Sequence, residues 1–110
     1  MGLRVDLKKL FCGFLPVQDT AIYTVPTGRR ALIKTIRVTS DSDVPRILNI
    51  RVAGGATFAR LVPHNFLLCG KHHGIDDAVI TLDTGDKVMA SCDLASSVTC
   101  LISGIEELLS

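Results

Sequence analysis

Turn signals punctuate this chain at short, regular intervals, and that constrains its fold more than any other feature. Pro26-Thr27-Gly28, the Ser- and Asp-rich stretch 40–45, Gly54-Gly55, Pro63, the Gly-flanked stretch 70–74, Asp83-Thr84-Gly85-Asp86 and the stretch 93–97 each interrupt an apolar run. Gly, Pro, Asn, Asp and Ser break regular structure for distinct steric and hydrogen-bonding reasons. Breaks this close together leave no room for helices of ordinary length. They suit short strands with a turn about every 8–12 residues, the spacing of a β-sandwich or barrel.

The runs between the breaks support strands. In 46–53, Leu48, Ile50 and Val52 alternate with Asn49 and Arg51. Val88, Ala90 and Cys92 share a parity in 87–92, as do Val98, Cys100 and Ile102 in 98–103. Strict alternation puts apolar side chains on one face of a strand. The spans 21–25, 31–39, 57–62, 65–69 and 78–82 read the same way. In 31–39, Leu32, Ile36 and Val38 are expected on one face, with Lys34 an unexplained charge of the same parity. With 14 Leu, 10 Val, 9 Ile and 9 Thr but no Trp, the core is aliphatic and rich in residues that favour strands. The expectation is an all-β, antiparallel β-sandwich of about eight short strands, jelly-roll-like or immunoglobulin-like, over 19–110.

Residues 1–18 stand apart. Leu3, Leu7, Leu10, Phe11 and Phe14 mix helical and strand spacings, and Gly13 and Pro16 end the segment. Two readings compete, an N-terminal arm that docks on a neighbour or a first strand plus loop, and the expected partition is an arm at 1–18 with the sandwich at 19–110. The arm reading makes Leu3, Leu7, Leu10, Phe11 and Phe14 partner-binding residues. It also expects that deleting 1–15 leaves a folded domain.

The net charge of +1 conceals an asymmetry. Residues 1–71 carry eleven Lys and Arg against four acids, net +7, and residues 72–110 carry one Lys against seven acids, net −6. The simplest account is that the halves interleave in one sandwich and their fields partly cancel. Arg29, Arg30, Lys34 and Arg37 form the best basic patch, with Arg29, Arg30 and Arg37 the candidates for a charged contact. Aromatic residues for base stacking are scarce, so docking on an acidic protein surface is expected there rather than nucleic acid.

No chemistry is legible. There is no GxSxG elbow, no GxGxxG and no Walker loop. His72 and His73 beside Asp76 and Asp77 contain metal-ligating residue types, but a solvated polar loop is the simpler reading. His64 reads as a loop residue. Cys12, Cys69, Cys92 and Cys100 have no CxxC spacing and read as free thiols, although Cys92 and Cys100 fall on the core parity of adjacent strands. No apolar stretch approaches the roughly 20 residues of a membrane helix. Lys8 and Lys9 interrupt the N-terminal apolar residues, which does not fit a signal peptide. The expectation is a non-enzymatic chain made in a cytoplasm, with no cofactor, no bound metal and no membrane partner.

Several motifs in order resemble a known family. Tyr23-Thr24-Val25-Pro26-Thr27-Gly28-Arg29 precedes an apolar strand, then come Leu61-Val62-Pro63, Leu82-Asp83-Thr84-Gly85-Asp86-Lys87-Val88 and Ser103-Gly104-Ile105-Glu106. Over about 23–107 this resembles the small β-sandwich structural proteins of tailed-bacteriophage virions. The stretch 70–74, with its histidines, departs from the usual plain turn. The resemblance implies a virion protein, foremost a capsid decoration (cement) protein that docks on the capsid lattice. It would be present in many copies or as a homo-oligomer, with the major capsid protein or another virion protein as its partner. Neck or tail and fibre accessory proteins, and ligand- or glycan-binding modules, are the alternatives. The resemblance implies no catalytic residues.

Overall fold

Alternation of buried and exposed side chains runs through the central strands, and the sheets follow from it. The computed structural model describes residues 4–54, 57–61, 66–68, 70, 73–76 and 80–108, with backbone alone for 4–6, 57–60 and 73–76. The strands are β1 (Arg4–Phe14), β2 (Thr20–Thr24), β3 (Arg29–Ser40), β4 (Arg46–Gly54), β5 (Thr57–Arg60), β6 (Phe66–Leu68), β7 (His73–Asp76), β8 (Ile80–Leu82), β9 (Lys87–Cys92) and β10 (Val98–Leu108). No helix occurs among the described residues.

The strands form two antiparallel sheets. In the first, the order is β1-β10-β3, and the far side of β3 is shared by β7 against Ile36–Thr39 and β8 against Ala31–Ile33. In the second, the order is β2-β9-β4, and the far side of β4 is shared by β5 and β6. Each sheet is thus four strands wide, with one outer position built from two short pieces. Most successive strands switch sheets, which is the winding of a jelly roll, two interlocked Greek keys. An immunoglobulin sandwich keeps its first two strands in one sheet. Here β1 and β2 lie in different sheets, so the jelly-roll alternative holds.

The inner faces supply the aliphatic core expected from composition. Ile33, Leu48, Ile50, Leu82, Val88, Val98 and Ile102 are all buried there. Three elements differ from the sequence reading. First, β3 carries a bulge: Ser103 of β10 pairs with Thr35 and Gly104 pairs with Ile33, leaving Lys34 unpaired. An inserted residue flips the side-chain parity. Leu32 therefore faces outward, Ile33, Ile36 and Val38 face the core, and Lys34 is exposed. That removes the anomaly of a lysine on the core parity. Second, β10 runs on to Leu108, past the Gly104 that reads as its end. Third, His73–Asp76, read as a polar loop, is strand β7.

The N-terminal segment is the second of the two readings offered for it. Residues 4–14 pair with β10 from Arg4 opposite Leu108 to Phe14 opposite Thr99, with one bulge between Lys9 and Phe11. Leu10 and Leu15 are buried in the core and Phe11 packs against it. This stretch is an edge strand of the sandwich, with Leu10, Phe11 and Leu15 turned to the core and Leu7 and Phe14 left exposed.

Candidate functional site

The two ends of the sandwich differ in chemistry. At one end lie the turns 25–28 and 83–86 and the last residues of β10. They are stitched together: Val25 N–H donates to the Asp86 carbonyl at 2.9 Å, and Gly85 N–H donates to the Val25 carbonyl at 3.2 Å. The Thr84 hydroxyl donates to the Arg29 carbonyl. Gly28 and Gly85 take φ of 80° and 87°, the left-handed region that glycine enters without a Cβ penalty.

Glu106 is the centre of this end. Its side chain is 2% exposed, and it lies between the sheets. The Tyr23 hydroxyl donates to one oxygen, reaching across from the other sheet. Lys8 Nζ donates to the other at 3.0 Å, and Arg29 stands 3.6 Å away. Burial pushes the carboxyl up. The hydrogen bonds from Tyr23 and Lys8 and the charges of Lys8 and Arg29 outweigh it, so the carboxyl is held below its ordinary value. Burial, then the hydrogen bond to Glu106, raises the Tyr23 phenol above its own. Ionised Glu106 with neutral Tyr23 is a lock between sheets. The described hollows lie elsewhere, on the outer face of the first sheet. One of about 190 Å³ is lined by Arg30, Leu32, Thr81, Ile105 and Glu107. Another of about 340 Å³ is lined by Cys12, Arg37, Thr39, Thr99 and Leu101. The arrangement binds the two sheets together.

Gly104 has a related role. A Cβ there would come within 3.0 Å of the Leu32 carbonyl carbon and 3.1 Å of the Ile33 Cα. The strands approach closely at the β3 bulge, and only glycine fits. Three of the four sequence motifs that carry the family resemblance therefore meet at this end. Tyr23, Gly28, Gly85, Asp86, Gly104 and Glu106 hold turns and sheets together. The fourth, Leu61-Val62-Pro63, lies mostly outside the described residues.

The opposite end is built from the connections 15–19, 41–45 and 93–97 and the strand residues beside them. Six of the eight large apolar side chains that are exposed gather here: Phe14, Val17, Val44, Ile47, Leu67 and Leu94. Ile47 and Leu67 are direct cross-strand partners on the outer face of the second sheet. The hydrogen bond from Asp93 N–H to the Ile47 carbonyl, 3.1 Å, brings Leu94 beside them. The acids Asp19, Asp41, Asp43 and Asp93 are exposed around this apolar surface. Arg46 lies 3.8 Å from Asp93 and Arg51 pairs with Asp19 at 2.5 Å.

The expected partner-binding residues scatter. Leu7 is 83% exposed on the outer face and Phe14 reaches the apolar end. Leu10 lies in the core, and Phe11 is partly buried against it. Leu3 lies outside the described residues. Arg29 belongs to the Glu106 cluster, and Arg30 pairs with Glu107 at 2.8 Å across the strands. Arg37 alone of the three projects exposed from the sheet without an ion pair among the described residues. The apolar end was missed because Val17, Val44, Ile47, Leu67 and Leu94 are isolated in sequence and converge only in the fold.

Cys92 and Cys100 are both buried free thiols; Cys92 Sγ donates to the Leu94 carbonyl at 3.1 Å. Burial, then proximity to Cys12, pushes the Cys100 thiol up to about 12. Cys12 is exposed, and Cys69 lies outside the described residues. Among the described residues no group of three His, Cys, Asp or Glu could hold a metal. His64, His72 and Asp77, and the side chains of His73 and Asp76, lie outside them. No helix among the described residues is long and apolar enough to cross a membrane. No protein-family model matches the chain, and no curated protein matches it.

Proposed function

We propose that the protein is a non-catalytic structural component of a bacteriophage virion, a capsid decoration protein that docks on a larger protein lattice. The observation that supports this reading is the exposed apolar end. Contiguous apolar surface on a small soluble domain marks a place where another protein sits. Ile47 and Leu67, paired across two strands with Leu94 beside them, make such a surface, and Phe14, Val17 and Val44 are further exposed apolar side chains at the connections of this end. The jelly roll is a common architecture for capsid domains, which adds fold-level analogy to the resemblance in the motifs. The docking residues are therefore reassigned from the N-terminal segment as a whole to this end, with Phe14 common to both.

The test is the number of copies per particle, read against the major capsid protein in purified virions. Hundreds of copies are expected of a decoration protein. About a dozen or fewer would place it at the neck or tail, where symmetry is low. Absence from the particle would end the virion reading. Ile47→Asp should leave the fold intact, since Ile47 is exposed, and should cut particle loading at least tenfold.

A further inference from the structure

β1 is an edge strand. Its hydrogen bonds to β10 use one side, and no described strand lies along the other. Native sheets blunt such edges with bulges, prolines or charges. The second half of β1 is blunted by the bulge between Lys9 and Phe11, by Gly13 and by the turn at Pro16. The first half, Arg4 to Lys9, is regular, has no Gly or Pro, and carries charges of both signs that a second strand could pair. In its middle Leu7 points outward, 83% exposed, the most exposed large apolar side chain described. Leu7 stands opposite Ile105, Ile105 opposite Leu32, and Leu32 opposite Thr81. An apolar row thus crosses the outer face of the whole sheet and stops at the open edge.

We propose that a second copy of this chain covers this edge, β1 pairing antiparallel with β1 about a two-fold axis through Leu7. The register follows from charge together with overlap, since a centre on Val5 would also set Arg4 opposite Asp6 but would pair the described strand with itself only over residues 4–6. A two-fold axis normal to the sheet keeps outward side chains outward, so the axis passes through a residue position. Centred on Asp6 it sets two aspartates face to face, and centred on Lys8 it sets two lysines face to face. Centred on Leu7, Asp6 stands opposite Lys8 of the second copy and Lys8 opposite its Asp6, giving two opposite-charge pairs. Val5 stands opposite Lys9, and Leu7 opposite Leu7. Cross-strand pairs of opposite charge stabilise a sheet, and like charges oppose it. The apolar row then continues from one copy into the other across a sheet eight strands wide. Because the interface is isologous it closes at two copies and does not propagate as a fibre.

The experiment uses the purified full chain, so it is independent of any particle. In a Cys12→Ser background, Leu7→Cys should link two copies through a disulfide under mild oxidation. Cα atoms directly opposite in antiparallel strands are about 4.5–5.5 Å apart, within disulfide reach. Val5→Cys and Lys9→Cys, each alone in the same background, should not link, whereas mixing the two should. By sedimentation, the wild-type chain should be a dimer at high micromolar concentration. Leu7→Lys should be a folded monomer, because two ammonium groups would meet at the axis. A wild-type chain that stays monomeric, a Leu7→Lys chain that stays dimeric, or self-linking through position 5 or 9 would each overturn the proposal.

Discussion

Glu106 shows how a single residue can be unreadable in sequence and central in the fold. It sits in an acid-rich stretch and reads as a surface charge. Its partners Lys8 and Tyr23 are 98 and 83 residues away in the chain, too far for any local pattern to expose the pairing. Replacing it with Gln leaves Lys8 and Arg29 facing a neutral amide. We expect Glu106→Gln to lower stability by about 2 kcal/mol at neutral pH, read by urea denaturation. The carboxyl is held below its ordinary value in the folded state, so its contribution is complete above the unfolded pKa near ~4.3 and is lost as pH falls through the folded value. The stability gap between wild type and Glu106→Gln should therefore close in acid. Two residues earlier, Gly104→Ala should cost about 3 kcal/mol, since the added methyl meets strand backbone that cannot rotate away. An ordinary glycine at a permissive site would gain stability from the same change. The sequence singled out this Ser-Gly-Ile-Glu stretch, but the reason for its glycine and its acid is a close approach visible only in three dimensions.

Elements were legible in proportion to how regular and central they are. β4 and β9 lie inside the second sheet and alternate without interruption, so their faces follow from parity alone. β3 and β1 each contain a bulge, and a bulge is a change of parity, which to a periodicity argument looks like noise. β7 was missed because His73, Gly74 and Asp76 are turn-like residues placed in an edge strand. The exposed apolar residues of the far end are hidden in the sequence for a related reason, since they come from three connections and three strands. The pairing of β1 with β10 also reverses one expectation. Deleting residues 1–15 removes Leu10 and Leu15 from the core and strips one side of β10. Such a truncation should lose cooperative thermal unfolding and near-ultraviolet circular dichroism rather than leave a folded domain. Point changes such as Leu7→Lys are the clean probe of β1's open side.

At the scale of the whole molecule, the hidden charge asymmetry becomes a description of how the chain closes on itself. Lys8–Glu106, Arg29–Glu106, Arg30–Glu107 and Arg46–Asp93 each join a base from the positive half to an acid from the negative half. The two fields cancel by interleaving, as the simplest account expected. Those pairs that are exposed contribute little individually: Arg30→Ala should leave the midpoint of a denaturant titration almost unmoved. The placement of β10 between β1 and β3 has a consequence in time. During synthesis the earliest strand and the third both wait for a central strand that is made last. Until it emerges, β1 stays apart from β3 and its partners β7 and β8, and the facing sides of β1 and β3 have unpaired backbone. Contacts this distant along a chain are slow to form, on the order of milliseconds to seconds. A nascent chain therefore cannot complete one of its two layers until β10 has left the ribosome, and until then its exposed strands must avoid those of neighbouring chains on the polysome.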